Sequence, residues 1–508
     1  MVRILRKAKY QSMVLPMRIS KTWWLACLVL LPVLLPGGVG SAQAADFAAD
    51  LELAARVQQL EAETLHLRQQ LEELRRVPEA ARVMPGPPPT EVAVAMEAPA
   101  STAPSVAAGQ AASAQSDEYY TLDELRAEMR KLAWTKGDFT IVPYGILWGN
   151  MVWETQRTNP GDYTLYVLPE RPATNEQFHL DARSTRVGLD ITGPPVPLLG
   201  NATSGGKIEV DFQRNIDTEN RSGLLLRHAY VEVKNDEFRL LAGQTWDVIS
   251  PRSPGMLMYS VGWGGGNIGY RRAQLRGERY FDLSEVTLIT VQGSLNTNVV
   301  GLAEVGNTTC GFQGDQSGWP VIMGRIAAKL GPRGQGCYPI EVGVSSHIGE
   351  QIFDLKAPWP VQIGAPRRTW SLNTDVRVPL GPRMGVQGEL FMGENLGTFF
   401  GGIVQGIDFG SAMFPGTTEP IRSRGGWIEV WYDLTSKLHT HVGYSIDDPI
   451  DEDVTCGRTY NAFIFGNLSY DLTQRFLAGI EVSSWKTLWK RQPAGDSVHL
   501  DFVAKYSF

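Results

Sequence analysis

The sequence predicts an all-β transmembrane antiparallel barrel of about sixteen strands, preceded by a signal peptide, a coiled-coil helix and a disordered Pro/Ala-rich linker. Three observations carry this. In the last eleven residues Leu500, Phe502, Ala504, Tyr506 and Phe508 share one face of an extended strand, and His499, Asp501, Val503, Lys505 and Ser507 share the other. Beyond Gly137 about sixteen alternating segments follow one another with no convincing helix. Their connections alternate between tight and long, as they do when one barrel rim carries turns and the other loops.

The N-terminus points to export. Arg3, Arg6, Lys7, Lys9, Arg18 and Lys21 precede an apolar stretch from Trp23 to Leu35, and Ser41-Ala-Gln-Ala44 supplies an Ala-x-Ala cleavage site, so residues 1–44 read as a signal peptide. A retained anchor fits less well, because the apolar run is short and broken by Pro32 and Pro36. Of the cysteines beyond it, Cys310, Cys337 and Cys456 permit one disulfide at most, with no pairing favoured.

Residues 46–77 carry a heptad. Leu53, Leu60, Leu67 and Leu74 are seven apart, Val57, Thr64 and Leu71 fill the intervening positions, and Glu, Gln and Arg take most of the rest. This predicts a self-associating coiled coil of two, three or four chains. Residues 78–117 are Pro, Ala, Ser and Gly with few aromatics, a composition that cannot bury enough apolar area to offset ordering entropy. A capping box, Thr121-Leu-Asp-Glu124, opens a short helix predicted over 118–134, and 137–508 is the barrel.

Composition narrows the class. With 53 glycines in 508 residues and a mean hydropathy of −0.15, no apolar run of spanning length follows the first forty residues, which argues against a helical membrane protein. A net charge of −7 gives no basic footprint for nucleic acid.

Face assignment predicts the solvent on each side. Ile208, Val210 and Phe212 alternate with Lys207, Glu209, Asp211 and Gln213, and Ile428, Val430 and Tyr432 with Glu429 and Asp433. Charges at every second strand position line water, so the interior is expected to be a channel. The link 193–204, rich in proline, is longer than a tight turn.

Ala182-Arg-Ser-Thr-Arg-Val-Gly-Leu-Asp190, Leu226-Arg-His-Ala-Tyr-Val-Glu-Val233 and Ala242-Gly-Gln-Thr-Trp-Asp-Val-Ile-Ser-Pro251 resemble strand motifs of DcaP-like outer-membrane porins. The resemblance covers the coiled coil and everything from 137 onward. It implies a homotrimeric barrel of about sixteen strands embedded in outer-membrane lipid, with a periplasmic coiled coil, passing small hydrophilic solutes and organic anions. The terminal strand, with Phe502, Tyr506 and Phe508, is similar to the closing strand of outer-membrane barrels and implies the barrel-assembly machinery as a partner.

The expected pore-lining set is Arg186, Asp190, Arg252, Tyr259, Arg272, Gln274, Arg276 and Glu278. Arg272, Gln274 and Arg276 share the face opposite Ala273 and Leu275, Arg186 opposes Val187 and Leu189, and a row of guanidinium groups makes a ladder for carboxylate or phosphate. Asp190, Glu209, Asp211, Glu278, Glu341, Glu389 and Asp501 also face inward, so any anion preference is mild. Arg183 and Arg227 fall on the lipid parity of their strands, so they are lumenal only where a bulge intervenes, or else sit at the rim. The segment 250–267, with Arg252, Met256, Met258, Tyr259 and Trp263, follows the fifth strand; it either folds inward or lies over the mouth or across a subunit contact.

Enzyme-like patterns fail their context. Gly264-Gly-Gly-Asn-Ile-Gly269 matches a dinucleotide fingerprint but opens a strand rather than a helix, and His439 and His441 are two imidazoles on one inward face, a pair that could bind metal but is more often polar lining. The chain is therefore expected not to be an enzyme, and neither metal nor cofactor is expected. Two rival readings are a non-conducting tethering or adhesion barrel and, without any supporting residues, an outer-membrane hydrolase.

Overall fold

A computed structural model describes residues 133–173, 175–214, 223–299, 311–312, 317–334, 336–355, 362–411 and 413–508. The signal peptide, coiled coil and linker expected from the sequence lie outside the described residues, as does the short helix up to residue 132. Trp134, expected to end that helix, instead lies in a strand, Trp134–Lys136, paired with Phe139–Ile141.

Sixteen long strands, accompanied among the described residues by the short pieces Trp134–Lys136 and Gly311–Phe312, form one antiparallel sheet: β1 Phe139–Glu154, β2 Gln177–Asp181 continued by Arg186–Val196, β3 Ala202–Arg214, β4 Gly223–Lys234, β5 Phe238–Trp246, β6 Arg271–Ser284, β7 Thr287–Asn296 and β8 Val321–Leu330. The second half comprises β9 Ile340–Leu355, β10 Gln362–Pro379, β11 Met384–Glu394, β12 Arg422–Asp433, β13 Leu438–Pro449, β14 Gly457–Thr473, β15 Phe476–Lys490 and β16 Gly495–Ser507. Each strand pairs with its neighbours in sequence, and β16 returns to β1, with Ile146 opposite Ser507 and Glu154 opposite His499. The ladder therefore has no free edge. In hydrocarbon, where no water can satisfy an unpaired amide, that closure is what allows strands to span.

Alternation sorts the faces. Leu275, Ile326, Leu390, Ile428, Val442, Ile464 and Val482 are exposed on the outside, whereas Glu209, Glu278, Glu389, Glu429, Glu481 and Asp501 are buried inside. Connections such as 235–237, 285–286, 380–383 and 474–475 form the short rim, while 155–176, 247–270, 297–320 and 395–421 are the longest of the opposite rim.

Three departures from the sequence expectation have local causes. The strand β2 runs on through Pro194 and Pro195 to Val196, a short 3-10 turn follows, and Gly200 at φ 66° turns the chain into β3; the prolines sit at the shift in the β2–β3 register between Thr192 and Pro195. A bulge in β4 places both Arg227 and His228 against Glu209, so Arg227 faces inward despite its parity. Between the two pieces of β2 the chain turns inward at Ala182–Thr185, carrying Arg183 to Asp162 and Asp181 at 2.7 and 2.6 Å; Thr185 Oγ1 accepts the Trp148 amide at 3.0 Å in place of the missing ladder partner.

Candidate functional site

The connection from β5 to β6, residues 247–270, folds into the barrel. Its ends are clasped: the Asp247 amide donates to the Tyr270 carbonyl at 2.7 Å, the Tyr270 amide to Asp247 Oδ2 at 2.9 Å, and Arg272 Nε to Asp247 Oδ1 at 2.6 Å. Burial pushes the Asp247 carboxyl up, against the pull of Arg272.

Inside, wall side chains hold the loop by its backbone. Glu389 of β11 accepts the Arg252 amide (2.7 Å), Glu429 of β12 the Gly255 amide (2.6 Å) and Glu481 of β15 the Leu257 amide (2.8 Å). In return Asn467, Ser445 and Asn461 donate to the carbonyls of Gly255, Gly265 and Gly264 at 2.8, 2.7 and 2.9 Å. Such close approach needs glycine. A Cβ at Gly265 would stand 2.7 Å from the Phe463 ring, and one at Gly266, which has φ 132°, would stand 2.5 Å from the Gly426 carbonyl oxygen. The glycine run at 264–269 is thus a packing device against β12–β14.

Two more connections pack beside it. The hairpin Thr158–Pro160 with Thr164–Val167 brings Tyr163 to 5.2 Å from Tyr259, and Phe400 of the 395–421 connection stacks on Trp263 at 4.8 Å. The Tyr259 hydroxyl donates to Asp211 at 2.8 Å, and burial pushes it up to about 12. Burial likewise raises the Asp162 carboxyl, opposed by Arg183. Arg458 of β14 ties these connections together, donating to the Ile403 carbonyl at 2.9 Å with its guanidinium 4.1 Å over Tyr166.

Because the loop is held toward β11–β15, space remains on the β5–β7 side. A cavity of about 250 Å³ there is lined by Trp246, Arg252, Trp263, Tyr270, Arg276 and Gln292, among others. Its charges are compensated. Arg252 reaches Glu341 and Asp375 at 2.8 and 3.1 Å, Arg276 bonds Gln274 and Glu278 at 2.8 and 3.3 Å, and Arg325 donates to Asp375 at 2.8 Å.

The sequence-predicted residues are therefore divided. Arg252, Arg276, Gln274 and Glu278 meet around or beside the cavity, and Tyr259 lies deeper among aromatic rings. Arg272 points inward but is sealed, 1% exposed, between Asp247 and the Phe399 ring at 4.0 Å. Asp190 pairs with Lys207 at 2.9 Å. Arg186 stands apart, 5.4 Å from the Trp148 ring, in no ion pair among the described residues. Phe502, Tyr506 and Phe508 project outward, and the Phe508 amide and carbonyl exchange bonds with Gly145 at 3.0 and 3.1 Å. His439 contacts Asp433 and Asp471 while His441 contacts Glu429, and among the described residues no group of three such side chains is arranged to hold a metal ion. Cys337 and Cys456 are unpaired and lie on opposite rims; Cys310 is outside the described residues.

Sequence reasoning missed Arg271 and Arg325. Arg325 was visible as an inward position of β8. Arg271 has outward parity, yet it is buried with its guanidinium 4.7 Å from the Trp246 ring and 4.8 Å from that of Tyr270.

Closure, faces and inward loop define a closed sixteen-stranded antiparallel barrel with a connection folded into its interior. No protein-family model matches the chain, and no curated protein matches it. Among solved structures it is similar to the outer membrane channel DcaP of Acinetobacter baumannii, at 18% identity and a TM-score of 0.56, over 74% of this chain and 99% of that one. The alignments also include an anion-selective porin from Comamonas acidovorans (12% identity, TM-score 0.47, 73% and 100% covered) and OmpF of Salmonella typhi (12%, 0.47, 74% and 100%). The DcaP likeness is one of fold, and it extends over nearly the whole of that channel.

Proposed function

We propose that the protein is a passive outer-membrane porin for small hydrophilic solutes, with a mild preference for organic anions. The observation that carries the porin reading is the inward loop, which narrows a polar interior to a cavity whose lining bears both guanidinium and carboxylate groups. Support for the anion preference comes from Arg186 and Lys505, which flank the Trp148 ring and make no ion pair among the described residues. Purified protein in a planar bilayer is expected to give discrete conductance steps. Absence of any conductance by folded protein would overturn this reading in favour of a tethering barrel.

A homotrimer is the proposed assembly, resting on the barrel wall and on the heptad at 46–77. The outer face of β2–β7 supports it: Gly193, Gly206, Ala229, Ala242, Gly277 and Gly293 leave an apolar concavity of about 1190 Å³ where a neighbouring wall can fit. Native mass spectrometry tests it, and a monomer under mild detergent would contradict it.

A further inference from the structure

The wall grips the loop through three carboxylates, and one of them has an unusual neighbour. In the β15–β16 register Glu481 lies directly opposite Asp501, and the two are 0% and 1% exposed. Glu481 Oε2 accepts the Leu257 amide at 2.8 Å and Asn467 Nδ2 at 2.9 Å. Its Oε1, like Asp501 Oδ2, is buried with no hydrogen-bond partner among the described residues. Directly opposed residues on antiparallel strands hold their Cβ atoms about 4.5–5.5 Å apart, so the two carboxyl groups can reach each other.

The groups around the pair do not neutralise it. On β1, Glu154 accepts the Thr158 and Thr164 hydroxyls at 2.8 and 3.4 Å, and the Asn150 Oδ1 is another buried acceptor without a partner. On β16, His499 stacks on Trp485 at 5.8 Å and shares a 3.1 Å contact with Thr164. Two cationic side chains stand nearby: Lys505, whose Nζ lies 3.7 Å over the Trp148 ring and attracts Glu481 only through space, and Arg186 of β2, over the same ring; neither ion-pairs among the described residues. Asn467 of β14 and the Leu257 amide both donate to the oxygen already satisfied.

Two desolvated carboxylates that face each other, with no cation in contact with either among the described residues, repel when both are ionised, and one proton between them relieves that repulsion. A proton held between them supplies the missing donor. We propose that Glu481 and Asp501 share one proton in a carboxyl–carboxylate hydrogen bond, and that this proton makes the wall's hold on the inward loop sensitive to pH. Proton uptake from water on acidification forms the bond. Loss of the proton to water on alkalinisation leaves two facing anions, whose repulsion moves the Glu481 carboxylate off the Leu257 amide.

Infrared spectroscopy of the full-length protein in lipid vesicles tests this without reference to conduction. Wild type is expected to show the carbonyl band of a buried protonated carboxyl group at neutral pH, disappearing as pH is raised. D501N and E481Q are each expected to lose that band, whereas E154Q keeps it. Absence of the band from wild type at neutral pH, or its persistence in both D501N and E481Q, would overturn the proposal. Hydrogen exchange at the Leu257 amide gives a second reading. Its protection should fall with rising pH in wild type beyond the chemical trend and follow the chemical trend alone in E481Q, whose amide oxygen can still accept the Leu257 N–H; equal profiles would also overturn it. A protein that passes these tests yet does not conduct would retain the proton pair and lose only the porin reading.

Discussion

Arg272 Nε and Asp247 Oδ1 lie 2.6 Å apart, joining the first residue beyond β5 to the second residue of β6 at the root of the inward loop. The loop is fixed where it leaves the wall, and the pair is sealed from water. Removing one partner strands the other as a buried charge, so Arg272→Ala is expected to destabilise the barrel by roughly 3–5 kcal/mol. The double variant Arg272→Met with Asp247→Leu should cost much less. Denaturant unfolding in lipid vesicles measures both, and equal losses would show that the ion pair is not what matters.

Selectivity should follow the unpaired cations rather than the paired ones. Arg186→Ser is expected to move the reversal potential in a salt gradient toward cation preference, because no acid ion-pairs with that guanidinium among the described residues. Arg272→Ser is expected to leave it nearly unchanged. Reversal potentials that respond in the opposite order would place Arg186 away from the ion path.

Loop position can be tested at Gly266, where a Cβ meets the Gly426 and Ile446 carbonyl oxygens and cannot be accommodated by rotating a side chain. Gly266→Val should push the loop off β12–β13 and lower stability by about 1–3 kcal/mol. Liposome-swelling rates for a neutral sugar should change in the same variant. An unchanged rate with unchanged stability would mean that the loop does not rest on this wall.

On the loop-bearing rim Asp453 carries a pH-dependent contribution. Its hydrogen bonds with Arg422, at 2.7 and 2.8 Å, hold the carboxyl below the ordinary aspartate range. A depressed folded value means stability that is present above the unfolded aspartate value and is lost as pH falls through the folded one. Wild type should therefore lose more stability on acidification than Asp453→Asn, with the difference confined to the acid limb and reduced by salt. Parallel acid limbs in thermal melts would remove Asp453 from the account.

Filling the outer concavity should disturb association without touching the interior. Gly293→Leu, at a position with open space around its Cβ, is expected to shift the native mass spectrum from trimer toward monomer while leaving the fold intact. Retention of the trimer would move the subunit contact to another face.

Strand positions were legible because alternation and turn residues are local signals: the expected spans 425–434 and 475–489 fall within a few residues of β12 and β15. Parity failed where the chain inserts a residue, at Arg227, and where it leaves the ladder, at Ala182–Thr185. The direction of the 247–270 connection was not legible at all. It depends on Glu389, Glu429 and Glu481, which stand 137, 174 and 224 residues beyond their amide partners. Charge compensation was hidden for the same reason, since Arg272 looks like a lumenal guanidinium until Asp247 and Phe399 close over it.

The pairing of β1 with β16 sets the order of events in folding. A bond such as that between the Gln156 amide and Ser497 Oγ joins residues 341 apart, so the seam cannot form until almost every other strand exists. Up to that moment the sheet has two raw margins, each offering a row of unsatisfied amides to any other extended chain. Late contacts of such span also make assembly slow, which lengthens the exposure. A barrel stitched shut by its final strand carries its raw margins only until that strand arrives, and the finished wall retains neither.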